Sequence, residues 1–136
     1  MLRIPQDRVT AVILGTAQDG GIPHIACHCP HCQHGWTTPH YAACLALIDT
    51  RPTQPNVWLI DATPDIKQQL HLLTHWLTPH PTMPHRYQQP TAIFLTHAHF
   101  GHIGGLPHLG PETMHAQNLN LYASAPLNHQ LQAMPL

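Results

Sequence analysis

The sequence predicts an α/β fold, and three observations carry that reading. Five apolar runs of strand length are rich in β-branched residues. A segment with helical periodicity falls between the third and the fourth, and glycine- and proline-rich turns separate them. With 136 residues the chain is long enough for a single domain, 1–136, with a modest core.

The first strand is Arg8 to Gly15, mostly apolar and β-branched. It runs into Gly15-Thr16-Ala17-Gln18-Asp19-Gly20-Gly21, a loop that needs the backbone freedom of glycine. Tyr41 to Asp49 and Val57 to Asp61 form the second and third strands. The short polar turn between them, Arg51 to Asn56, predicts an antiparallel pair. Thr63-Pro64-Asp65 then opens a helix, with a capping threonine, proline at the first helical position and an acid in the first turn. Ile66, Leu70, Leu73 and Leu77 recur at helical spacing, and Pro79 is expected to end the run. His80 to Pro90 holds three prolines and reads as a surface loop. Thr91 to Thr96 is the fourth strand, Ile103 to Leu109 a short helix, and Leu119 to Ser124 the fifth strand. Ser124-Ala125-Pro126 begins a last helix. Four of the strands, at Val9 to Leu14, Leu45 to Ile48, Val57 to Ile60 and Ala92 to Leu95, are apolar on both faces, the pattern of strands covered on both sides.

Composition removes several function classes. Only 8 % of residues are charged, against roughly 25 % in ordinary globular domains. The five basic residues are scattered and the net charge is −1, so no basic stripe suggests a nucleic-acid partner. The first residues carry Asp7 and no long apolar stretch, unlike a secretory signal. No run reaches the roughly 18 apolar residues of a membrane span. A cytoplasmic location with no membrane partner is therefore expected.

Two clusters carry chemistry. His97, His99 and His102 follow the fourth strand at spacings of two and three, with Gly101 inside the motif and Gly104-Gly105 behind it. Spacing of two at a strand end places His97 and His99 on one side, and Gly101 lets the chain turn so that His102 faces the same point. Converging neutral imidazoles suit Zn²⁺, Mn²⁺ or Fe²⁺. The second cluster is Cys27-His28-Cys29-Pro30-His31-Cys32. Four cysteines could pair as two disulfides, but three within six residues of a reduced chain read as a structural Zn²⁺ site. Its fourth ligand is open among His24, His28, His31, His34 and His40. Cys44, inside a strand, reads as a small core residue.

Thr96-His97-Ala98-His99-Phe100-Gly101-His102 resembles the metal loop of the metallo-β-lactamase superfamily, Thr-His-x-His-x-Asp-His. In that family the first two histidines help bind one metal and the Asp-His pair helps bind a second. Here the family's aspartate falls on Gly101, which offers no ligand, so an aspartate placed there is expected to strengthen metal binding. Gly15 to Gly21 leading into Cys-x-Cys-x-x-Cys is similar to one branch of the superfamily. That branch contains a protein of pyrroloquinoline-quinone biosynthesis and the cyclic phosphodiesterase of phosphonate breakdown. In the phosphodiesterase three cysteines hold a structural zinc, completed by a histidine near the C-terminus. Leu59-Ile60-Asp61-Ala62 resembles the family strand whose aspartate supports the metal loop, which implies that Asp61 orients a ligand histidine from outside the coordination sphere.

The resemblance implies a metallo-β-lactamase-like αββα sandwich, truncated to its N-terminal half. In the family the later half supplies another histidine and a metal-bridging aspartate. The implied function is that of a metal-dependent hydrolase acting on a small-molecule substrate, phosphodiesterase-like or related to quinone-cofactor biosynthesis, with little activity from this chain alone. Two alternatives remain open: an iron-dependent oxidative enzyme of quinone-cofactor biosynthesis, and a non-catalytic zinc-stabilised module. A homo-oligomer or a complementing second half is the expected partner.

Overall fold

The computed structural model describes residues 4–134. Five strands form one sheet in sequence order: β1 (Val9–Gly15), β2 (Cys44–Asp49), β3 (Asn56–Ile60), β4 (Ala92–Phe94) and β5 (Asn120–Tyr122). The β1–β2 and β2–β3 pairs are antiparallel, as the short Arg51–Asn56 turn requires. β4 and β5 add in parallel, each reached by a crossover that contains helix. All five expected strands form, the last two shortened to three residues each.

One sheet face makes the core. Val12, Leu14, Ala46, Ile48, Val57, Leu59 and Ile93 point to it and are buried. The helices α2 (Ile66–Leu72) and α4 (Ala125–Ala133) cover it with Ile66, Leu127 and Leu131. α4 begins as expected, with the Ser124 hydroxyl accepting from the Leu127 amide and proline in the first turn.

α2 is shorter than its periodicity suggests. It stops at Leu72, and Leu73, Trp76 and Leu77 complete the apolar face from successive turns. At that point the Thr74 hydroxyl bonds the His71 carbonyl 3.0 Å away, a side-chain alternative to the helical ladder. The start also differs. Asp65 is the N-cap, and Thr63 turns inward, donating to the Gln69 side chain at 2.8 Å and accepting from the Asp65 amide. Gln69 in turn donates to the Ala42 carbonyl, so this buried pair ties the helix to the segment before β2.

One short helix was not foreseen: α1 (Pro30–Gly35), inside the cysteine segment. The expected Ile103–Leu109 helix divides into α3 (Phe100–Ile103) and a single 3₁₀ turn, Leu106–Leu109, with Pro107 in its first turn. Gly105 sits at the junction, and any Cβ there would collide with the Thr63 carbonyl. Together with the bonds from Ala62 N to His102 O and from Gly105 N to Ala62 O, both 2.8 Å, this close approach pins the histidine loop to the end of β3.

Candidate metal centre

β3 and β4 end side by side and deliver the centre. Asp61 follows β3 with φ +73°, a left-handed conformation that aspartate tolerates better than most residues. It is buried, and its amide bonds the Phe94 carbonyl at 2.8 Å. Its carboxylate is fully used. Oδ1 accepts from the Thr96 amide at 2.8 Å and both oxygens lie 2.9 Å from the Thr96 hydroxyl. Oδ2 lies 2.7 Å from His102 Nδ1.

These bonds fix two tautomers. His102 must carry its proton on Nδ1 to bond the carboxylate, which leaves the Nε2 lone pair free. The Thr96 hydroxyl has one proton and gives it to Asp61, so its oxygen accepts from His97 Nδ1 at 2.9 Å. His97 Nε2 is then free as well. A buried carboxylate that orients ligand imidazoles through their second nitrogen is the arrangement metal-binding histidines use. Asp61 thus lies beside the histidine loop and bonds His102, and Thr96 is a positioning group the sequence reading did not single out.

The three rings are neighbours. The centroids of His97 and His99 are 4.7 Å apart, and those of His97 and His102 are 3.9 Å apart. They do not, however, aim at a single point as the spacing suggested. Among the described residues, Cys27, Cys29 and Cys32 form the set of three ligand atoms that all lie within 4.8 Å of one another; the histidines form no such set. The cause is the turn into α3. His99 is its N-cap, while His102 lies one turn on and is held toward Asp61. On its other side His102 Nε2 stands 3.6 Å from Asp19 Oδ1, a carboxylate carried by the Gly15–Gly21 loop.

That loop also bears on position 101. A Cβ on Gly101 would strike the Asp19 Cα and lie 2.6 Å from the Asp19 Cβ and Cγ. An aspartate at 101 has no room, so the expected strengthening by Gly101→Asp is withdrawn: the substitution would displace Asp19.

The cysteine cluster is compact. All four cysteines are free thiols, and Cys27 and Cys29 Sγ are 3.5 Å apart. Sulfurs about 2.3 Å from a tetrahedral Zn²⁺ stand roughly 3.8 Å from one another, so the set fits such an ion. Cys29 caps α1, and the Cys32 amide donating to its sulfur, with help from Cys27, holds its thiol below the ordinary value. For Cys32 the His24 amide pulls the same way, but burial and the two neighbouring sulfurs outweigh it and leave the thiol raised. A divalent cation would neutralise thiolates crowded in this way. None of His24, His28, His31, His34 and His40 joins the three sulfurs within that 4.8 Å distance. Cys44 is a core residue as expected: burial first, then the Asp61 charge, pushes its thiol up to about 12. A cavity of about 770 Å³ beside Lys67, Leu70, His71 and Tyr87 is lined by no residue of either cluster.

A five-stranded sheet backed by helices, with a histidine loop after one strand and a buried aspartate after its neighbour, is the half-sandwich of a metallo-β-lactamase. The family model described as beta-lactamase superfamily domain matches residues 56–135, and the chain belongs to that superfamily. Within it the chain is similar to coenzyme PQQ synthesis protein B. It shares 36 % identity over 103 residues with that protein of Methylobacterium sp. (strain 4-46), covering 71 % of this chain and 32 % of the relative. With the protein of Methylobacterium nodulans it shares 37 % over 101 residues, with the same coverage. Among solved structures, Zn²⁺-bound PqqB from Methylobacterium extorquens matches with a TM-score of 0.70 and 26 % identity, over 91 % of this chain and 40 % of that one. A diphosphatase of the PhnP family matches with a TM-score of 0.67 over 93 % of this chain and 45 % of that one; at 24 % identity it speaks for the fold alone. The chain thus spans about a third of the length of the curated relatives it matches. No described helix is long and apolar enough to cross a membrane.

Proposed function

We propose that this chain is the metal-binding half of a metallo-β-lactamase-type hydrolase that cleaves phosphodiester-like substrates. The observation that carries the reading is the Asp61–Thr96 pair, which fixes the tautomers of His97 and His102 and frees their Nε2 atoms. These residues and His99 are the ones that would hold divalent metal, which supplies a Lewis acid and lowers the pKa of bound water toward neutrality. Asp61 holds the His102 proton on Nδ1, and Thr96 relays the same carboxylate to His97. Zn²⁺, Mn²⁺ and Fe²⁺ are the candidate ions for these imidazoles.

The test is titration of Mn²⁺ and Zn²⁺ into chain whose cysteine site is already filled, paired with hydrolysis of an activated phosphodiester. Metal binding that disappears in His97→Gln, with weak metal-dependent turnover, is the expected result. Absence of binding beyond the cysteine site overturns the reading. A second reading, a role in making a quinone cofactor, is favoured by the 36–37 % identity to coenzyme PQQ synthesis protein B. Its test is whether the chain restores cofactor synthesis in a strain lacking that protein.

Asp61→Asn is an informative probe here. Asparagine also tolerates the left-handed backbone at this position, so the substitution removes charge while sparing conformation. Loss of about 10–100-fold in affinity at the histidine site is expected, with the cysteine site unchanged. Equal affinity would mean that the carboxylate does not orient the imidazoles.

A further inference from the structure

We propose that Asp19, from the Gly15–Gly21 loop, is a metal ligand, completing with His102 a second cation position beside the one formed by His97 and His99. This deepens the metal reading above and rests on it. Three observations converge. First, His102 Nε2, the nitrogen left free by the bond to Asp61, faces Asp19 Oδ1 at 3.6 Å. That is too long for a hydrogen bond. It suits two atoms sharing one ion, since ligands about 2.1 Å from a tetrahedral cation stand roughly 3.4 Å apart.

Second, Asp19 is packed against the backbone of Gly101, in space that any side chain at 101 would need. The loop motif of the superfamily carries its carboxylate at that position. Here the carboxylate reaches the same neighbourhood from a different loop, and the glycine is what admits it. The missing ligand at 101 and the presence of Asp19 are one exchange, not a loss.

Third, the loop is built to hold Asp19 there. Ala17 N bonds Tyr41 O and Ala43 N bonds Ala17 O, each at 3.0 Å, on one side of Asp19. On the other side Ile22 and His40 exchange bonds of 2.8 and 2.9 Å, and Gly21 N bonds Gln18 O at 2.8 Å. The tip between them is short, and it presents the half-exposed Asp19 carboxylate toward His102. The His97 ring neighbours both others, 4.7 Å from His99 and 3.9 Å from His102, so the two positions would adjoin.

The experiment measures Mn²⁺ affinity by titration and electron paramagnetic resonance, after Zn²⁺ has filled the cysteine site. Mn²⁺ is chosen because it favours oxygen ligands over thiolates. Asp19→Asn keeps the shape and removes the charge; Gly101→Ala keeps the charge and pushes it away. Loss of even an outer-sphere partner costs about 10–100-fold, so each variant is expected to lose at least about tenfold in affinity. Retained cysteine-bound zinc and an unchanged melting temperature of the metal-free chain exclude misfolding. If the unaltered chain binds Mn²⁺ and Asp19→Asn binds it equally, Asp19 is an ordinary surface acid and the inference fails while the metal reading stands. If the unaltered chain binds none beyond the cysteine site, both fall together.

Discussion

Removal of the metal from Cys27, Cys29 and Cys32 is expected to melt the segment from Ile22 to His40 while the sheet stays folded. Across that segment only Cys32 and Gly35 are buried. Ile25 and Trp36 lie open, so no apolar cluster secures it. Its one helix, α1, has six residues, far below the length at which isolated helices persist in water. Structural zinc in finger peptides contributes on the order of 10–16 kcal/mol at neutral pH, which is ample to order a segment of this size. A strong chelator, or Cys27→Ser, should therefore expose the segment to protease and to rapid amide exchange. β1 to β4, whose core does not include the segment, should stay protected. About one tightly held zinc per chain is expected before treatment. A segment that stays protected in metal-free protein would show that something other than metal holds it.

The same experiment reaches the histidine centre. Ile22 and His40 bracket the zinc segment and also pair with each other at the base of the Asp19 loop. Melting the segment should loosen that pairing and weaken Mn²⁺ binding at the distant histidines. Such a result would couple the two proposed metal sites through the two Ile22–His40 backbone hydrogen bonds.

Much of this was legible from the amino acids, for a definite reason. Strand and helix periodicities are local, so the five strands and the start of α4 could be read in order, as could the Asp61 and histidine positions from their motif contexts. What escaped depended on contacts distant in sequence. The end of α2 was set by Thr74 bonding back to His71, which competes with a regular apolar spacing. α1 is capped by a cysteine, a residue rarely counted among helix caps, although Pro30 at its first position was a signal. Asp19 read as part of a glycine loop. Only the fold sets it against Gly101, and the one available hint was a carboxylate missing from an otherwise intact metal motif.

The 136-residue chain is expected to associate through the uncovered face of its sheet. The strand registers line up Ile13, Leu45, Ile60, Phe94 and Tyr122 as one row crossing all five strands. Ala11, Leu47, Trp58 and Ala92 form the row beside it. On this face Ile13 is 70 % exposed and Tyr122 52 %, and Phe94 and Tyr122 stack on each other at 4.8 Å. These are the strands that read as apolar on both sides, and here helices cover one side alone. Monomers rarely leave so continuous an apolar surface to water. With 8 % charged residues, the chain has little repulsion to keep copies apart. We propose that the face receives the same face of another copy of the chain. Burying an isoleucine of this kind is worth about 1.5–3 kcal/mol, so one well-placed charge has a large effect. Ile13→Lys lies on the edge strand, where lysine is a common guard against pairing, and it touches neither metal cluster. Sedimentation should show the unaltered chain as dimers or larger at micromolar concentration. Ile13→Lys should raise the dissociation constant at least about tenfold, with zinc content unchanged. An unaltered chain that sediments as a monomer at high concentration would mean that the sheet tolerates water on this face without a partner.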